Sequence, residues 1–387
     1  MTERGTDRVI ASAPAFAQAL DAAAGPAALS PSSHNCQPWG LARATTPGAR
    51  RTAAALTGAD TAEYLVLALD RRRELTALAA HAVEMEVSCG VYWRLLLRGL
   101  AAQGWSAVAA HVVEADDGSG FGAEWPASWT PLCVAALRPG RPSGERLDDL
   151  RETGLARRTH RGPYRPEPLA ADLLRDLEDA GPSEAEPHPR PLHVRHLTNP
   201  QELGAFASFV ARHAGRDFGH RRAWRETHSF LRWSTESAAA RGDGFTLDQL
   251  FGPLSGPRRA AMRCALAPTT MNLLGRAGYH RVLAAGLANV VRRTPAVVTM
   301  GFADETAGRA DLLRGGARLA DYWWRATRSG LSLHPISVVL QHDDLRNRLA
   351  AELRLPGRTF FVSRVGVAGR PAPRSHRRAS AAAHVAI

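Results

Sequence analysis

The stretch Ser30-Pro31-Ser32-Ser33-His34-Asn35-Cys36-Gln37-Pro38-Trp39 crowds hydrogen-bonding side chains into one short turn between two apolar segments. The amide of Asn35 offers a donor and an acceptor together, the pair that the pyrimidine edge of a heteroaromatic ring such as isoalloxazine calls for. Prolines stiffen the loop that would aim it. Asparagine occurs only five times in the 387 residues, so composition alone explains its place poorly. The same stretch would also serve as a helix-ending turn with Trp39 plugging the core.

Two arginine clusters stand apart from the rest. Arg157-Arg158-Thr159-His160-Arg161 would be unfavourable as a basic helix start against the helix dipole, and so asks for an anion nearby. Arg374-Ser375-His376-Arg377-Arg378 reads either as a second anion contact or as a solvated tail. Basic residues number 49 against 37 acidic ones, for a net charge of +12, and every basic residue other than histidine is arginine. With no lysine, a Schiff base, a phosphate-loop lysine and a Ser-x-x-Lys nucleophile are all excluded. Arginine's planar fork suits phosphates and carboxylates. Elsewhere acids interleave with the arginines, as in Asp148-Asp149-Leu150-Arg151-Glu152, which reads as solvated helix faces. His34 and His334 are the nearest candidates for proton donors, although a lone histidine near a turn is more often structural. No catalytic side chain is named.

The elements that would position these groups repeat. The pattern predicts a helix from Ala13 to Ala24, a strand from Tyr64 to Leu69 and a long helix from Leu75 to Ala102 that breaks at Gly104. Later, a strand from Ala296 to Phe302 precedes a helix from Ala310 to Ser329 that breaks at Gly330. Gly90 precedes Gly104 by the same interval as Gly316 precedes Gly330. An apolar strand from Cys133 to Leu137 runs into Gly140-Arg141-Pro142, and one from Phe360 to Val367 runs into Gly369-Arg370-Pro371. These matched landmarks point to an internal duplication with a boundary between Arg141 and Arg151, giving halves 1–145 and 146–387. The segment Phe218 to Gly256, with Trp224, Trp233 and Asp243-Gly244-Phe245, has no first-half counterpart and reads either as a lid over a ligand or as a helical decoration.

Pro-Ser-Ser-x-Asn-x-Gln-Pro-Trp resembles the FMN-contacting loop of nitroreductase-like flavoproteins. The resemblance implies FMN contacts from Pro31, Ser32, Ser33, Asn35 and Gln37. Arg157, Arg158, Thr159 and Arg161 resemble the family's Arg-Arg-Ser-x-Arg phosphate segment, with Thr159 in place of serine, and Arg374 and Arg377 resemble its C-terminal basic residues. Gly330 to Ser337 resembles the segment whose backbone faces flavin N5, here Pro335, Ile336 and Ser337. In the expected second site, Arg4 to Arg8 lacks the doubled arginine and Ala180 to Ser183 continues without asparagine, so one complete and one lost site are expected. The whole resembles the long single-chain Acg-type branch: an α+β, nitroreductase-like fold of two related half-domains in which one chain imitates the family's dimer.

The resemblance implies an FMN-dependent oxidoreductase that passes electrons from NAD(P)H to a small-molecule acceptor such as a nitroaromatic or quinone. A flavin-sequestering protein with little turnover, and a biosynthetic flavin oxidase or dehydrogenase, remain alternatives. The four cysteines form no Cys-x-x-Cys pair, so neither a metal site nor a disulfide framework is indicated, and a reducing cytoplasm is expected. No apolar run approaches the ~20 residues of a membrane helix. Without a nucleic-acid signature, neither nucleic acid nor membrane is expected as partner, and the pseudo-dimer is expected to be monomeric.

Overall fold

The computed structural model describes residues 14–114, 118–179 and 191–387. The two segments proposed as remnants of a second site, Arg4 to Arg8 and Ala180 to Ser183, lie outside them.

The first half runs α1 (Phe16–Ala28), β1 (Trp39–Arg43), α2 (Pro47–Thr57), β2 (Glu63–Asp70), α3 (Ala79–Ala101), β3 (Trp105–Val112) and β4 (Trp129–Pro139). Two connecting helices, α4 (Leu147–Ala156) and α5 (Ala171–Glu178), lead to β5 (Leu192–Leu197) and α6 (Pro200–His213). Then come α7 (Gly215–Phe218), α8 (Arg221–Ser229), β6 (Leu231–Arg232), α9 (Thr235–Arg241), β7 (Phe245–Thr246), α10 (Leu247–Phe251), α11 (Gly256–Leu266), α12 (Pro268–Arg276) and α13 (Tyr279–Arg292). The chain closes with β8 (Ala296–Phe302), α14 (Arg309–Arg328), β9 (Ser332–Pro335), α15 (Asp343–Leu353), β10 (Arg358–Gly366) and β11 (His384–Ala386).

Continuous apolar runs make the central strands, because both faces of each are covered: β8 is buried throughout, and β2 in all but its first residue. The four strands of each half hydrogen-bond in the same order, β1-β2-β4-β3 and β5-β8-β10-β9, all antiparallel. The long helices end where the glycines predicted, since Gly104 and Gly330 take φ of +83° and +76°, a conformation that side chains with a Cβ resist. The duplication is therefore visible in topology.

The two halves meet through α3 and α14. A Cβ built on Gly316 would lie 2.7 Å from the Cα of Gly90, so the paired glycines sit at the helix crossing, where two-fold-related residues would meet. One apolar cluster spans both halves, joining Leu65, Leu67 and Trp93 to Val298, Met300 and Trp323. The end of the chain also crosses over: β11 adds to the first sheet parallel to β1.

Between β5 and β8, α6 takes the place that α2 holds between β1 and β2; each starts on a proline after a capping side chain, Asn199 and Thr46. What has no counterpart is α7 to α13, residues 215–292, longer than the Phe218 to Gly256 insert expected. The added part lacks the aromatic cluster that marked the rest, and its last helix buries Ala284, Ala288 and Val291 against Phe206 and Val210.

Candidate cofactor and substrate cavity

The loop after α1 departs from ordinary backbone geometry. His34, Asn35 and Gln37 take φ of 51°, 53° and 52°, a left-handed region that costs roughly 1–2 kcal/mol per non-glycine residue. Surrounding bonds over-determine it. Ser32 Oγ accepts from the Gln37 N–H at 2.9 Å, and Ser33 Oγ donates to Glu84 Oε2 at 2.5 Å. Asn35 Nδ2 donates to the carbonyls of Gly244 and His376, both at 3.0 Å, while its Oδ1 accepts from Arg377 at 2.8 Å. Gln37 Nε2 donates to Gly242 O at 2.7 Å, and Gln37 Oε1 accepts from the Arg378 N–H at 3.0 Å.

The first arginine cluster follows the C-terminus of α4 instead of opening a helix, so the α4 dipole does not oppose it. It is extended, with Thr159 bridged in parallel to Leu333. Extended chain alternates its side chains. Arg157, Thr159 and Arg161 accordingly line a cavity of about 270 Å³. Arg158 and His160 are absent from its walls: the Arg158 guanidinium donates to the carbonyls of Leu155, Arg157 and Ala372, and His160 Nε2 lies 2.9 Å from Pro163 O.

The same cavity is walled by Pro31, Ser32, Ser33 and Asn35, by Pro335 at the end of β9 and Ser337 beyond it, and by Ser375 and Arg377. Four residues expected at the site lie behind it. Gln37 braces the loop from beneath; Ile336 packs in the second core and donates its N–H to Val362 O at 2.8 Å; Arg374 contributes a carbonyl that accepts from Gln249; and Arg158 is as described. Asn35 borders the cavity, but both its side-chain amide and its oxygen are engaged by protein groups. His334 is not a wall residue either: its Nδ1 accepts from the buried Arg364 at 3.0 Å.

Three cavity arginines, Arg157 buried and Arg161 and Arg377 half-buried, have no counter-charge. Among the described residues Arg157, Arg161 and Arg377 form no ion pair, and Nε of Arg157 and of Arg377 has no hydrogen-bond partner. Burial pulls Arg161 and Arg377 down to about 10, with Arg158 adding repulsion at Arg377. Burial, then Arg377 and Arg158, pulls Arg157 well below its ordinary value. Such a group of cations asks for an anion of more than one charge.

A different chemistry lines the other walls. Glu84 on α3 accepts from Ser33 Oγ and, at 2.7 Å, from Gln341 Nε2. His34 bridges Ser33 Oγ at 3.0 Å and Thr227 Oγ1 at 2.9 Å; burial, then His81 and Arg161, lowers its pKa to about 3, so it is neutral. Asp217 is raised to about 7 by burial and then by Glu84. Asp217, Phe218, Trp224, Thr227 and Phe245 all come from the insert. The insert is tied to the first half at two carboxylates: Asp243 accepts from Arg73 at 2.6 Å as well as from Arg232, and Glu226 accepts from the N–H groups of Thr76 and Ala77 and meets His81 at 3.1 Å.

No family model matches the sequence. The chain is 32% identical over 368 residues to the Probable NAD(P)H nitroreductase PigM of Serratia sp. (strain ATCC 39006), covering 93% of this chain and 92% of that protein. The chain belongs to the nitroreductase-like flavoprotein family. Among solved structures, the FMN-dependent nitroreductase NfnB from Mycobacterium smegmatis in complex with NADPH matches at 17% identity and a TM-score of 0.39, over 61% of this chain and 96% of its own. The Nitroreductase-like Family Protein from Bacillus cereus matches at 14% and 0.33, over 59% and 89%.

For a nitroreductase-like flavoprotein the cofactor to fit is FMN, and the residues present fit it. Its phosphate dianion supplies the counter-charge that Arg157, Arg161 and Arg377 lack, and its ring would suit the aromatic walls. Sequence reasoning missed Glu84, Asp217, Thr227, Gln341 and Ser375. One signal was available: His81, Glu84 and Ser88 fall at i, i+3 and i+7, a polar stripe along one side of the first half of α3.

Proposed function

We propose that this protein is an FMN-dependent oxidoreductase that takes reducing equivalents from NAD(P)H and delivers them to a small organic acceptor. The observation that carries the reading is the group of arginines without ion pairs among the described residues, Arg157, Arg161 and Arg377, lining a cavity that aromatic, aliphatic and polar side chains also wall. Bound FMN would supply two-electron exchange with a nicotinamide and with the acceptor in alternate half-reactions. Arg157, Arg161 and Arg377 would hold the phosphate, with Thr159 and Ser375 as neutral donors beside it. Pro335 and Ser337 would set the backbone against the ring. Phe218, Trp224 and Phe245 would exclude water from the second substrate site. The ties at Asp243 and Glu226 favour a second reading, in which the closed insert makes the chain a flavin store with little turnover.

The test is the visible spectrum of purified protein, the FMN released per chain, and anaerobic addition of NADPH and of NADH. One FMN per chain that bleaches supports the oxidoreductase. Bound FMN that resists both donors favours the store. A colourless protein that cannot be loaded with FMN sinks both readings.

A further inference from the structure

Acidic residues interleave with the arginines along most of the chain, but not between Asp248 and Asp304. Residues 249–303 hold seven arginines and neither aspartate nor glutamate, so this stretch supplies seven units of the net charge of +12. Arg259 pairs with Asp248 at 2.8 Å. The other six, Arg258, Arg263, Arg276, Arg281, Arg292 and Arg293, are exposed, with no ion pair and no side-chain hydrogen bond among the described residues. The same stretch carries exposed apolar surface. Among the described residues four large apolar side chains stand out into solvent, and all of them except Val108 belong to it: Phe251, Leu273 and Val282, the last two each 63% exposed.

Packing explains why these groups face outwards. The helices α11, α12 and α13 are neighbours in turn, with α12 touching both others. Their inner sides bury Leu266, Met271 and the row Ala284, Ala288 and Val291, while α12 packs on α8 and α13 on α6 and α7. The outer sides are what remains. Leu273 and Arg276 fall at i and i+3 on α12, and Arg281, Ala285, Asn289 and Arg292 recur at helical spacing on α13, all exposed. Because α7 and α8 bring Phe218 and Trp224 to the cavity, these faces form the outer layer of the insert.

We infer that the outer face of α11 to α13 docks the protein on an anionic lipid bilayer, its guanidinium groups meeting headgroup phosphates and Leu273 and Val282 entering the acyl boundary. Arginines without counter-charges are drawn to an anionic leaflet, and their planar forks match phosphate oxygens. Apolar side chains among them add burial that charge alone does not supply. A second copy of the chain fits badly, since it would set like charges against each other. A nucleic acid would satisfy the arginines but leave Leu273 and Val282 in water. No helix among the described residues is long and apolar enough to cross a membrane, so the contact is with its surface. Docking requires no flavin.

Cys264 can report on this face, because it is exposed on α11 while Cys36, Cys89 and Cys133 are buried. The full chain, labelled there with a solvatochromic maleimide, is mixed with phosphatidylcholine vesicles that contain or lack phosphatidylglycerol. Binding is read by flotation and by the dye's emission. The expected result is at least about tenfold tighter binding to the phosphatidylglycerol vesicles, with a blue shift of the dye. Arg276→Gln/Arg281→Gln should remove most of that binding, and Leu273→Ser/Val282→Ser should weaken it severalfold, with the Tm of the wild-type chain retained. Arg51→Gln/Arg141→Gln, which removes the same charge from exposed positions of the first half, should leave it within about twofold. No binding to either vesicle, equal loss from the two arginine pairs, or bound protein whose dye still emits as in water overturns the proposal. So does a DNA duplex of random sequence that outcompetes the vesicles and is indifferent to the Leu273/Val282 change, which would make the face a polyanion site.

Discussion

Buried charge without a partner has opposite consequences for folding and for ligand affinity, and Arg157 and Arg377 make the two separable. Each destabilises the flavin-free chain, because a desolvated guanidinium is left with orphaned N–H groups. Arg157→Met should therefore raise the Tm of the FMN-free protein while weakening FMN more than tenfold in a fluorescence titration; Arg377→Met should weaken FMN as much without raising the Tm, because it also removes the donor to Asn35 Oδ1; Arg158→Met should change FMN affinity less than twofold. If Arg158 matters as much as Arg157, the alternation argued for this segment is wrong. His34 gives a second residue-level outcome. Its folded pKa of about 3 lies below its ordinary 6.5, so above pH 6.5 it contributes nothing to the pH dependence, and stability is lost as pH falls from 6.5 towards 3. The slope approaches 1.4 kcal/mol per pH unit for this group alone. His34→Asn tolerates the left-handed backbone and cannot titrate, so its Tm should fall less steeply between pH 6.5 and 4. At this scale the sequence showed which segments matter but not which residues within them. The doubled arginine drew attention to Arg158 because an extended run carries no mark of which alternate side faces inward.

Two elements do most of the positioning, the α3/α14 pair and the insert. Gly316→Ala should cost several kcal/mol in denaturant unfolding, beyond the ~1–3 kcal/mol usual for overpacking, because its Cβ would strike backbone at 2.7 Å instead of a side chain that can move. Gly204→Ala, which meets nothing within 4 Å on α6, is the control and should be neutral or slightly stabilising. Asp243→Asn leaves Arg73 and Arg232 short of their shared counter-charge, a break that costs about 3–5 kcal/mol for buried pairs. Limited proteolysis should then cut faster within residues 215–292 than elsewhere; unchanged cleavage would mean that the insert is held by its apolar contacts. The helices and central strands were readable because their periods are simple and their glycine stops strong. The second part of the insert was not, since α11 to α13 are ordinary amphipathic helices whose place, with α13 packed on α6, is fixed only by tertiary packing.

For the whole molecule, duplication was legible as matched glycine spacings, yet the halves are not separable bodies. One core crosses the boundary that the spacings suggest, and the first sheet is completed from the far end of the chain. Ile387 accepts from the N–H groups of Thr45 and Thr46 and donates its own to Arg43 O, while His384 Nε2 lies 3.0 Å from the Tyr92 hydroxyl. Truncation after Ala383 should lower the Tm of a single transition by several degrees, and residues 1–145 alone should not give a cooperative melt. The reach of that last strand also bears on how the protein is made. Thr45 and Ile387 are 342 positions apart, so at ~5–20 residues per second a ribosome needs roughly 20–70 s to deliver the strand that covers β1. Throughout that interval the nascent chain carries an open, apolar sheet edge, the kind of template that invites pairing with a neighbour on the same polysome. Because Arg377 emerges only a few residues before β11, cofactor capture and protection of that edge come due almost together, and flavin supply during synthesis should decide how much of the protein escapes aggregation.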